Sequence, residues 1–89
     1  MNDLEFNNTD HNREYKQKFL QIMEENLLEV ERIDFASTME SLQISSLAFI
    51  KIVVFLEEEF NIEFEDEKII PDAFATVQEL FDYVYKKAL

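Results

Sequence analysis

The chain has 89 residues, a formal net charge of −12 and 47% hydrophobic residues, and it contains neither cysteine nor glycine. This length suffices for one small domain, and the lack of cysteine excludes disulfides and thiolate metal sites. The acidity disfavours binding to nucleic acid or anionic membranes. The first residues lack the basic, then apolar pattern of a signal peptide, and no apolar run approaches the length of a membrane span. We therefore expect a cytoplasmic protein.

The N-terminal part divides into a tail and a first helix. Residues 1–12 contain few apolar residues and several Asn and Asp, which predicts a disordered N-terminal tail. From Arg13 to Leu28 apolar residues recur at intervals of three and four, which predicts an amphipathic helix. The periodicity is lost from Glu29 to Ile44, which we interpret as a long loop pinned to the core by Ile33, Phe35, Met39 and Leu42. Residues 13–89 are expected to form a single domain.

A second helix is predicted from Ser46 to about Phe60, with Ser45 as its N-cap. Ile44 is expected to pack on Phe49 and so to fix the start of the helix. One face provides core residues at helical spacing: Phe49, Ile52, Val53, Leu56 and Phe60. Further apolar residues lie off this face: Leu47, Ile50, Val54 and Phe55. Since so small a bundle can hardly bury a helix on all sides, this pattern favours a partner or ligand surface beside Ser46.

The C-terminal part predicts a turn and a last helix. After an acidic segment from Glu57 to Glu67, Pro71 to Phe74 is typical of a short helical turn that begins with proline. Thr76 and Glu79 match a capping box, and apolar residues follow at helical spacing. Because no sustained alternation of apolar and polar residues is present outside residues 61–64, we predict an all-α fold, a small bundle of three long helices plus one short helix.

The side-chain sets of common enzymes are missing. The only histidine, His11, lies in the predicted tail, so Ser46 has no base that could activate it. Without glycine there is no phosphate-binding loop for nucleotides. The segment that starts at Asn61 begins like a calcium loop, but Asp66 would replace its essential glycine and Asp72 its final glutamate, so no metal site is expected. An anion on Ser46 would nevertheless be stabilised by the free N–H groups and the dipole at the helix start.

Several separated segments resemble acyl and peptidyl carrier proteins. They are Ser45-Ser46-Leu47, where the family has Asp-Ser-Leu, then Leu56-Glu57-Glu58-Glu59-Phe60, residues 76–84 in the last helix, and Glu40-Ser41-Leu42 before the serine. The resemblance covers roughly residues 13–87 and implies an acyl-carrier-like, monomeric fold that catalyses nothing itself. It also implies that Ser46 is the attachment point of 4′-phosphopantetheine, which a phosphopantetheinyl transferase takes from coenzyme A.

The resemblance further implies a docking face for acyl-transferring, ligating or condensing enzymes with basic and apolar surfaces. Its expected residues are Leu47, Ile50, Lys51, Val54, Glu57 and Glu58. Ala48 and Lys51 stand where fatty-acid carriers are commonly acidic, and Gln43 stands near the place of a usual glycine. We therefore expect a freestanding carrier of acyl or aminoacyl thioesters in polyketide or nonribosomal peptide biosynthesis. A fatty-acid carrier and an unmodified acidic helical interaction module are the alternatives.

Overall fold

The structure, a computed structural model, describes the backbone of residues 3–27 and 33–89, with side chains from residue 12 onward in those ranges. Its α-helices are α1 (Asp3–Asn26), α2 (Met39–Leu42), α3 (Ser46–Phe60) and α4 (Val77–Ala88). Two single turns of 3-10 helix, Asp66–Lys68 and Pro71–Ala73, lie between α3 and α4. The described residues form no β-strand, only an isolated antiparallel bridge between Thr38 and Thr76. The predicted bundle of three long helices plus one short helix is confirmed.

One apolar core lies between the three long helices. Phe19 and Met23 of α1 are fully buried, as are Phe49 of α3 and Leu80 of α4. The rings of Phe19 and Phe81 meet edge to face, with their centroids 5.2 Å apart. The buried residues that the structure describes are all apolar, so burial of nonpolar surface provides the main force that holds the helices together.

Helix α1 differs from its predicted bounds at both ends. It begins at Asp3 rather than at Arg13, so the backbone is helical over most of the segment for which we predicted a disordered tail. Neither glycine nor proline interrupts the segment after Asp3, and the backbone can therefore continue the helix toward the N-terminus. The helix ends at Asn26, two residues before the predicted end. Residues 1–2 and 28–32 lie outside the described residues, and the division into tail and domain stays a prediction.

The described part of the connection between α1 and α3 contains α2, which we had not predicted. Thr38 caps this single turn, since its hydroxyl oxygen accepts a hydrogen bond from the N–H of Ser41 at 3.0 Å. Three backbone N–H groups link the connection to the start of α4: Met39 to the carbonyl of Ala75 (2.9 Å), Val77 to Ser37 (3.0 Å) and Gln78 to Phe35 (2.9 Å). Backbone hydrogen bonds therefore hold this connection in addition to its buried side chains Ile33 and Met39.

The predicted signals before α4 are confirmed. Pro71 is the first residue of its 3-10 turn. The Thr76 hydroxyl oxygen accepts a hydrogen bond from the N–H of Glu79 at 3.2 Å. In return, the Glu79 carboxylate accepts a hydrogen bond from the N–H of Ala75 at 2.9 Å. The reciprocal bond of the capping box thus reaches one residue further back than the usual pattern.

Candidate functional site

The two serines at the start of α3 have different positions. Ser45 has an extended backbone, and its hydroxyl oxygen accepts a hydrogen bond from the N–H of Ala48 at 3.1 Å. Ser46 is the first residue of the helix and is exposed. The predicted capping role of Ser45 is confirmed. Because Ser45 provides the cap, the Ser46 hydroxyl is not needed for capping.

The start of α3 favours an anion next to Ser46. The first intrahelical bond runs from the N–H of Phe49 to the carbonyl of Ser45, at 2.9 Å. The N–H groups of Ser46 and Leu47 precede that bond and have no intrahelical acceptor. The first turn contains no acidic residue, so no carboxylate there opposes the positive end of the helix dipole. The residues at this helix start therefore fit a phosphate ester on the Ser46 oxygen.

Gln43, two residues before the serine pair, has a left-handed backbone conformation. Gln43 has φ 53° and ψ 47°, and its N–H donates a hydrogen bond to the carbonyl of Glu40 at 3.1 Å, which ends α2. A side chain with a β-carbon makes this conformation unfavourable by roughly 1–2 kcal/mol. Gln43, which the sequence resemblance places near a usual glycine, thus lies at a position where glycine is favoured on steric grounds.

An apolar surface on α3 faces away from the core. The exposed fractions are 67% for Leu47, 46% for Ile50, 45% for Val54 and 47% for Phe55. Lys51 is exposed among them. We call these five residues the α3 strip. The interpretation that α3 carries a second, uncovered apolar face is confirmed, and Phe55 extends this face beyond the docking residues that we predicted.

The two glutamates predicted for docking have different surroundings. Glu57 is half-buried, and its Oε2 accepts a hydrogen bond from the N–H of Phe64 at 2.8 Å. Its side chain thereby holds the segment that follows α3. Glu58 is exposed and lines a groove between α1 and α3, together with Phe55 and Ile22. Of the two, Glu58 is thus the one that continues the α3 strip toward the C-terminal end of the helix.

The sequence placed Phe55 off the core face, but we did not include it among the expected docking residues because its helical position lies at the border of that face. Two buried core residues are close to Phe55 on the helix: Ile52 lies three residues before it, and Leu56 directly follows it. The exposed fraction of a border residue depends on how closely the neighbouring helix approaches it. The available signal was the spacing of four residues between Lys51 and Phe55, which places both on one side of the helix.

The described part of the chain shows neither a cluster of metal-binding side chains nor a membrane-spanning helix. Within residues 12–27 and 33–89, no group of three histidine or acidic side chains is arranged to hold a metal ion. The segment that starts at Asn61, which begins like a calcium loop, buries Ile62 and Phe64 and continues into the Asp66–Lys68 turn. None of the described helices combines the length and the apolar character needed to cross a bilayer.

Known proteins resemble this chain over most of its length. The family described as the phosphopantetheine attachment site matches residues 17–84, a segment that includes Ser46. The crystal structure of an acyl carrier protein from Thermotoga maritima is similar, with a TM-score of 0.66 and 33% sequence identity. That similarity covers 84% of this chain and 87% of the Thermotoga chain. No curated protein matches.

Proposed function

Since this chain belongs to the phosphopantetheine attachment family, we propose that Ser46 is the residue that carries its 4′-phosphopantetheine. Members of this family are not enzymes themselves but carry substrates on a covalent arm. When bound, the arm supplies a thiol on which acyl groups are held as thioesters. The observation that carries the proposal is the exposed hydroxyl of Ser46 at the first position of α3.

The surroundings of Ser46 support this assignment. Ser45 caps the helix, so the Ser46 oxygen can form an ester without loss of the cap. The N–H groups of Ser46 and Leu47 and the positive end of the dipole stabilise the negative charge of a phosphodiester. The lack of an acidic residue in the first turn removes the nearest source of repulsion.

Intact-mass spectrometry tests the attachment site. After incubation with coenzyme A, magnesium and a broad-specificity phosphopantetheinyl transferase, we expect the wild-type chain to gain one phosphopantetheinyl group. Ser46→Ala should abolish the gain. Ser45→Ala is the matched control and should still be modified, because it removes the cap and keeps the nucleophilic oxygen.

Two results would contradict the proposal. Modification of the Ser46→Ala chain would show that another residue is the attachment site. No modification of the wild-type chain by several transferases would favour the alternative, an unmodified acidic helical interaction module.

We also propose that the carrier serves polyketide or nonribosomal peptide biosynthesis rather than fatty-acid synthesis. The proposed docking residues are those of the α3 strip with Glu58. What supports the pathway is the character of this surface, which is apolar with Lys51 at its centre where fatty-acid carriers are commonly acidic. The modified chain should therefore replace a fatty-acid carrier poorly in a reconstituted synthase, and efficient replacement would contradict the proposal. A monomeric state and a cytoplasmic location remain predictions.

A further inference from the structure

The α3 strip contains one charged residue, and nothing on its own helix can pair with it. Side chains on a helix meet their neighbours three and four residues away. For Lys51 these neighbours are Leu47, Ala48, Val54 and Phe55, none of which is acidic. The ammonium group of Lys51 thus lies in an apolar surface with no carboxylate in a pairing position on α3.

Most other lysines of the described chain have a partner. Lys18 forms an ion pair with Glu59, with 3.3 Å between nitrogen and oxygen. Three lysines lie over aromatic rings, at 5.2–5.7 Å from the ring centroids: Lys16 over Phe35, Lys68 over Phe74 and Lys87 over Tyr83. Lys86 lies in the last turn of α4, where the helix dipole favours a cation. Among the described residues Lys51 has none of these interactions, so the described part of the fold makes no use of its charge.

This isolated charge restricts which surfaces can cover the strip. A partner that buries Leu47 and Val54 also removes water from Lys51, and an ammonium group without an acceptor is strongly disfavoured in such a place. Glu58 lies two helical turns further on, about 10 Å along the same side of α3. The side chain of Glu58 is exposed, so its charge also meets a covering surface. The covered surface is therefore positive at Lys51 and negative at Glu58.

We propose that the enzymes served by this carrier dock on the α3 strip through an apolar surface that bears a carboxylate opposite Lys51 and a basic side chain opposite Glu58. This inference rests on the proposed function and adds the chemistry of the partner to it. Lys51 repels a uniformly basic surface, and Glu58 repels a uniformly acidic one. The two opposite charges also fix the direction in which the partner lies along α3.

A second copy of this chain is a weaker candidate for this surface. Two strips in antiparallel arrangement would place Lys51 of each copy near Glu58 of the other. However, each copy has a net charge of −12, and this repulsion opposes their approach at moderate salt. We therefore expect sedimentation of the wild-type chain to show a monomer at micromolar concentration.

The docking chemistry can be tested with the full-length unmodified chain and two designed helical peptides. Both peptides carry the same leucine stripe. The first has a glutamate and, two turns away, an arginine beside the stripe, whereas the second has arginine at both places. Calorimetry at low salt should show the first peptide binding the wild-type chain about fivefold more tightly. Changes in the backbone amide chemical shifts of the α3 strip should show that the peptide binds there.

Variants connect this preference to one residue. Lys51→Glu should reverse the preference, so that the peptide with two arginines binds more tightly. The matched control is Lys86→Glu, which makes the same change of net charge on α4 and should leave the preference as in the wild type.

Three outcomes would overturn the inference: equal or tighter binding of the peptide with two arginines to the wild-type chain, no binding of either peptide, or a dimer that buries the strip. The experiment also separates this inference from the proposed function. Because the peptides bind the unmodified chain, failure of Ser46 loading would refute the proposed function without changing these affinities. Equal affinities would refute the docking chemistry while the loading of Ser46 stays intact.

Discussion

Ser45 and Ser46 are chemically identical neighbours, yet only one of them stabilises the fold. The hydroxyl oxygen of Ser45 accepts the hydrogen bond from the Ala48 N–H, so Ser45→Ala should lower the free energy of unfolding by about 1 kcal/mol. Ser46→Ala should change it by less than about 0.5 kcal/mol, since the exposed hydroxyl is not the cap. Urea denaturation of both variants measures the difference. Equal losses would contradict the assignment of the cap to Ser45.

The left-handed backbone conformation of Gln43 allows a second prediction for a single residue. Gln43→Gly removes the β-carbon from a conformation with φ 53°, and we expect the free energy of unfolding to rise by about 0.5–1 kcal/mol. The expected gain is smaller than the full steric relief because glycine also makes the unfolded chain more flexible. Asn61→Gly is the control, as asparagine tolerates its own φ of 56° better than glutamine does. A gain at Asn61 as large as that at Gln43 would contradict this explanation.

At the scale of elements, the end of α3 depends on a side chain that we had predicted to serve docking. Glu57→Ala leaves the partly buried N–H of Phe64 without its acceptor and should lower the free energy of unfolding by about 1–2 kcal/mol. Glu57→Gln retains an oxygen at the same place and should lose less. Glu58→Ala should be nearly neutral, because its side chain is exposed. Thermal unfolding compares the three variants, and equal stability of Glu57→Ala and Glu58→Ala would contradict the structural role of Glu57.

The elements predicted well from sequence are those whose signals are local. Ser45 and Thr76 cap the helices that directly follow them, and Pro71 begins its own turn, so each boundary could be located from a few adjacent residues. The position of Ser46 and the uncovered side of α3 follow from the same local signals and from helical periodicity. Helix α2 was missed because its surroundings depend on hydrogen bonds to residues 75–78, far away in sequence. The hydrogen bond of Glu57 was not predicted for a similar reason, since its partner Phe64 lies beyond the end of the helix.

At the scale of the whole molecule, repulsion between acidic groups opposes folding. The chain has 20 acidic and 8 basic residues, and the described part contains a single ion pair, between Lys18 and Glu59. Salt screens like charges that are further apart than about 10 Å at 0.1 M. We therefore expect the melting temperature to rise with potassium chloride and, at lower concentration, with magnesium chloride. An uncharged osmolyte at equal osmolarity is the control, and a melting temperature insensitive to both salts would contradict the expectation.

The hydrogen bonds between residues 35–39 and 75–78 also bear on the order in which the molecule folds. The first of these segments lies just before Ser46, and the second is synthesised much later. Closure of so long a loop is slow compared with the formation of a single helix. During translation, α3 can form its own backbone bonds early, but the segment that leads into it acquires these partners only after residues 75–78 have left the ribosome. A transferase that recognises the arrangement of α2 and Ser46 would thus act only after residues 75–78 have left the ribosome, and a purified fragment that ends before Ala75 should be modified poorly.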